Sequence, residues 1–113
     1  MNEEGHRQRA EELKGSRALL TPPEGHIALY TEASLGIAHQ LFMAGSQRKY
    51  GTHEDQHQGL ARWLRDRGET AMAEHLTELE AMRAGRWYGR RGNGSAAQRQ
   101  DELLDAIAQW SLA

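Results

Sequence analysis

YTEASLGIAHQLFMAG, residues 30 to 45, is the stretch whose reading decides the fold. Tyr30, Ser34, Leu35, Ala38, Leu41 and Phe42 recur along it at the 3.6-residue period of an amphipathic helix, with Ile27 one turn upstream. Small residues (Ala28, Ala33, Ser34, Gly36, Ala38) run along the same helix and let neighbouring backbones come close. Thr21 and Pro22, with Glu24 three residues after the threonine, give a start signal, and the helix reads as running to about Gly45. It is expected to be the most buried helix of the chain.

Working outward, residues 4 to 20 read as a first helix with a sparse apolar face of Ala10, Leu13, Leu19 and Leu20, stopped by Thr21-Pro22-Pro23. On the other side, Gly45 to Gly51 reads as a turn. Thr52 then caps a third helix that carries His53, His57, Leu60 and Leu64 and ends at Gly68. A fourth helix is expected over 70–84, with Met72, Leu76, Leu79 and Met82 inward. After a glycine-rich loop, Ser95 caps a last helix with Leu103, Leu104, Ile107 and Trp110 on its apolar face.

Valine is absent and isoleucine occurs only at 27, 37 and 107, which disfavours sheets. The sequence therefore predicts an all-α fold: an antiparallel bundle of four to five helices in one domain, 1–113, with residues 1–5 as a disordered start.

The formal net charge of -2 gives no global attraction to nucleic acid or acidic membranes, so a role with either needs a local basic patch. The chain has no cysteine, hence neither disulfides nor thiolate metal sites, and no long apolar run. The expectation is a cytoplasmic protein without a membrane role and without a cofactor.

RKYGTHEDQH, residues 48 to 57, supports three readings. His53 and His57 have HExxH spacing, which on a helix lets two imidazoles reach one zinc ion while the glutamate activates its water. That alternative needs a third ligand from Glu74, His75, Glu78 or Glu80, none at a distinctive spacing, and Asp55 and Gln56 are polar where a buried zinc helix favours apolar residues. The plainest reading is helix initiation, with Thr52 and Asp55 as a capping box and Glu54 favoured by the helix dipole. In the third, Arg48 and His53 form a phosphate-directed pair.

The third reading comes with a family. The small-residue-rich second helix, His53 at the start of the third, LTELEAMRAGRWYG with Leu76, Leu79, Arg83, Tyr88 and Gly89, and a final amphipathic helix together resemble the HEPN superfamily. That group comprises prokaryotic helical bundles found as nucleotidyltransferase partners, toxins and RNA-cleaving defence proteins. The resemblance implies nucleotide, RNA or partner-protein binding in a stress, defence or toxin-antitoxin module. In active members it also implies metal-independent RNA cleavage by an arginine and a histidine four to six residues apart, often across a dimer interface.

Carried over, Arg48 would clamp phosphate charge and His53 would move the proton. Lys49 follows the arginine where the family usually has Asn, His or Asp. The competing class is a non-enzymatic interaction module, either a homodimer or one bound to a heteromeric partner such as a nucleotidyltransferase-like antitoxin.

GRWYGRRGNGS, residues 85 to 95, is the most basic stretch. Arg86, Arg90 and Arg91 could meet phosphates with Tyr88 stacking on a base, or the run could be an ordinary turn with solvated arginines.

Overall fold

The computed structural model describes residues 1–54, 57–83 and 92–113, with the His57 side chain outside that set. Among them are five α-helices and no strand: α1 (Glu3–Ala18), α2 (Ile27–Tyr50), α3 (His57–Asp66), α4 (Thr70–Arg83) and α5 (Asn93–Leu112), with a 3-10 turn over Pro23–His26 before α2. The fold is the all-α bundle expected. No helix among the described residues is long and apolar enough to cross a membrane.

α2 is the axis. Its 24 residues, at about 1.5 Å each, match the 39 Å long dimension of the molecule, and it packs against α1, α4 and α5 while α3 lies on α4. Tyr30, Ser34, Leu35, Ala38, Leu41 and Phe42 are all buried. Leu60, Leu64, Leu76, Leu79, Met82, Leu103 and Ile107 complete one core from the other helices.

Several boundaries differ from expectation. α2 begins at Ile27 and not after Thr21, because Pro23–His26 winds into the tighter 3-10 turn. Gly45 does not end α2: a Cβ there would stand 2.5 Å from Trp110 and 2.9 Å from the Ser111 backbone, so this glycine is where α5 crosses closest. Arg48 accordingly sits in the last turn of a helix and not in a loop.

The stop is Gly51, in the left-handed region at φ 74°, with its amide bonded to the Gln47 carbonyl and its carbonyl accepting from Gln47 Nε2. Nothing stands within 4 Å of a Cβ built at Gly51, so Gly51→Ala meets backbone strain alone. A loss of about 1–2 kcal/mol in urea unfolding is expected; an unchanged midpoint would mean that residue 51 is not left-handed.

α3 starts at His57, so Thr52, His53 and Glu54 belong to a non-helical connection and Thr52 is not its cap. The Glu54 carboxylate lies against Gly59 in the opening turns of α3. Asp55, the other half of the expected capping box, lies outside the described residues, as do Arg86, Tyr88, Arg90 and Arg91. α1 begins at Glu3, inside the stretch read as a disordered start, with the Asn2 side chain accepting from the Gly5 amide at 2.9 Å. Leu19, assigned to the apolar face of the first helix, lies beyond it and is 80% exposed.

Candidate functional site

Two features of the bundle carry chemistry, one at the first turn of α1 and one where α2 ends beside α3.

The first is built on Glu3, His6 and Arg7. His6 shares its helical face with Ala10, Leu13 and Arg17, which turns it toward α2 and leaves it 5% exposed. Its Nδ1 stands 2.7 Å from Gln40 Oε1 on α2. With that oxygen as acceptor, the neutral ring holds its proton on Nδ1 and presents a lone pair at Nε2. Opposite it, His53 Nε2 lies 3.3 Å away, with the rings edge to face at 85° and their centroids 5.0 Å apart.

One turn back, Glu3 Oε2 accepts from Arg7 Nη2 at 2.8 Å, and Arg48 Nη1 approaches the same oxygen at 3.8 Å. Arg7 continues to the other end of the chain, donating to the Ser111 carbonyl at 2.7 Å and to Ser111 Oγ at 3.1 Å. Arg48 and His53 therefore come to the same turn of α1, each through a different residue of it. Arg48 keeps half of its side-chain surface exposed, while His53 is half-buried with Nδ1 enclosed.

For the HExxH alternative, His53 stands on the connection and only the second histidine position is helical. Among its possible third ligands, Glu78 is held in a bidentate fork by Arg99, at 2.7 and 3.0 Å, which pushes the guanidinium further up from its already high range. Among the described residues no group of three or more His, Cys, Asp or Glu is placed to hold a metal ion.

The second feature is a cation–aromatic cluster. Arg67 lies 3.7 Å above the Trp63 ring and 5.6 Å from that of Tyr50, and the two rings meet edge to face at 5.8 Å. Lys49 stands 5.1 Å over Trp110. Glu69 Oε2 accepts from Trp110 Nε1 at 2.5 Å and from the Tyr50 hydroxyl at 3.2 Å. Burial first, and then the Glu69 charge and hydrogen bond, push the Tyr50 hydroxyl up, with Arg67 opposing.

Counter-charge is unevenly distributed. Arg7, Arg9, Lys14, Arg17, Arg48, Arg83 and Arg99 each lie against a carboxylate. Lys49, Arg62, Arg65 and Arg67 make no ion pair among the described residues, and all four stand at the end of α2 or on and just after α3. No protein-family model matches this chain, and neither a curated protein nor a solved structure does.

Sequence reasoning had no place for His6 or Gln40 in a site. His6 falls within the expected first helix, residues 4 to 20, but outside its named apolar face, although its spacing to Ala10 and Leu13 is the available signal. Arg67 lies past the last periodic residue of α3; its four-residue spacing to Trp63 is a local signal, whereas its approach to Tyr50 comes only with the return of the chain.

Proposed function

We propose that this chain is a HEPN-like helical module that binds single-stranded RNA through the surface where α2 ends beside α3. The observation that carries the reading is a run of cations without ion pairs among the described residues, Lys49 at the end of α2 and Arg62, Arg65 and Arg67 on and just after α3, with Arg67 lying over Trp63 and beside Tyr50. A chain of net charge -2 needs such a local patch to attract phosphate, and partly exposed rings beside it offer stacking platforms that any base can use.

Fluorescence anisotropy of a labelled mixed-sequence RNA, titrated at several salt concentrations, tests this. Binding is expected to weaken steeply with salt, and Lys49→Ala and Arg67→Ala should each lower the salt slope by about one. Salt-independent binding, or none, would defeat the proposal.

A second reading has its own observation: Arg48 and His53 converge on the turn of α1 that also carries His6. In it Arg48 clamps phosphate charge and His53 acts as general acid or base in metal-independent cleavage. Cleavage that survives EDTA and vanishes in both Arg48→Ala and His53→Ala would favour this reading; RNA left intact by wild type would remove it.

A further inference from the structure

We infer that His6 and His53 form a two-histidine site for a divalent late transition ion of the zinc class. Two nitrogens each about 2.0–2.1 Å from one tetrahedral zinc stand about 3.3–3.4 Å apart, and the two Nε2 atoms stand 3.3 Å apart. Without an ion the pair is held by a long ring-to-ring hydrogen bond, which His53 Nε2 donates when His6 carries its proton on Nδ1, and the ion would displace that proton.

The ring positions point the same way. Imidazoles joined end to end by a hydrogen bond of that length would have centroids about 5.5 Å apart, and two rings converging on one tetrahedral ion about 5.2 Å apart. The observed 5.0 Å, at an interplanar angle of 85°, is nearer the second figure, so the rings are already bent toward one side as two ligands of one ion would be.

Gln40 supplies the outer contact that such a site requires. A ligating histidine gives its other N–H to a fixed acceptor, which sets the tautomer and aims the lone pair. Gln40 Oε1, 2.7 Å from His6 Nδ1, does this from the middle of α2, and the burial of His6 keeps the ring in that orientation.

Imidazole donors select zinc, copper or nickel over magnesium and calcium, which prefer oxygen. The remaining coordination positions fall to solvent or an exogenous donor. Bound there, the ion would tie the first turn of α1 to the connection after α2, and would occupy the nitrogen of His53 that faces His6.

The test is calorimetric titration of Zn²⁺ into the full chain in chelator-free buffer, followed by Co²⁺ titration read by absorption. One saturating equivalent per chain is expected. His6→Gln and His53→Gln should each weaken it at least tenfold, and Gln40→Ala, which removes only the outer contact, by about tenfold. Because His6 is buried, circular dichroism of each variant accompanies the titration, and His53→Gln on the connection carries the test if His6→Gln unfolds.

The inference is overturned if wild type takes up no saturable equivalent, or if folded His6→Gln binds as wild type does. It is also overturned if His57→Gln alone abolishes binding, since that would put the ion on the HExxH pair. RNA titration without added metal reads the α2–α3 surface independently, so failure of either proposal is seen without the other.

Discussion

Phe42→Ala is expected to cost about 3–5 kcal/mol, the usual range for emptying a fully buried phenylalanine site. Phe42 has no exposed surface and lies in the middle of the helix that touches α1, α4 and α5. Its ring packs on Trp110 with centroids 5.7 Å apart and planes tilted by 60°. Trp110 also closes over Gly45 one turn further along, so the cavity would open under a side chain already pressed onto the α2 backbone. Collapse into it would require α5 to shift along α2. Domains of this size hold about 5–15 kcal/mol in all, so the variant should melt more than about 10 °C lower. A loss below about 1 kcal/mol in urea unfolding, with the slope unchanged, would show that α2 and α5 do not pack through this ring.

The second large effect concerns polar atoms inside the core. Gln100, Thr31 and Ser34 are all buried where α5 meets α2. Gln100 Nε2 donates to Thr31 Oγ1 at 2.8 Å, and Gln100 Oε1 lies 2.7 Å from Ser34 Oγ. The Ser34 hydroxyl has one proton for two acceptors, this one and the Tyr30 carbonyl at 2.9 Å, while it accepts from Arg17 Nη1 at 2.9 Å.

Ser34→Ala would therefore strand the Gln100 oxygen in the core and remove a partner from Arg17, at a cost of about 2–3 kcal/mol despite the better helix propensity of alanine. Gln100→Leu is expected to cost less, because the Thr31 hydroxyl still donates to the Ile27 carbonyl and the Ser34 hydroxyl to that of Tyr30. Adding Gln100→Leu to Ser34→Ala should then recover part of the loss in a double-mutant cycle. Strict additivity of the two would show that the side chains do not interact.

The parts of the fold legible in the sequence are those where local and tertiary demands agree. α4 occupies almost the residues expected, since its apolar period runs unbroken from Met72 to Met82, and Gly68 ends the turn after α3 in the left-handed region. The end of α2 was misjudged because glycine has two physical uses. At Gly51 it permits a positive φ; at Gly45 it makes room for another helix, which only the position of α5 reveals.

The start of α3 failed for a related reason. Thr52 has the chemistry of a cap, yet the chain around it is not helical and runs beside α1, where His53 meets His6. A partner 47 residues away in sequence leaves no local trace. The same holds for the candidate sites: Arg48 and His53 could be singled out by spacing, while His6 meets Gln40 and His53, and Arg67 meets Tyr50, only through the return of the chain.

Glu69 gives the bundle a property that none of its helices has alone. One carboxylate oxygen, on the link between α3 and α4, accepts from Tyr50 at the end of α2 and from Trp110 near the end of α5. Fraying of either helix end takes a donor from a carboxylate that the other still engages. These two ends should accordingly open as one cooperative unit, with backbone amides in the last turns of α2 and α5 sharing a common rate of exchange with solvent deuterium.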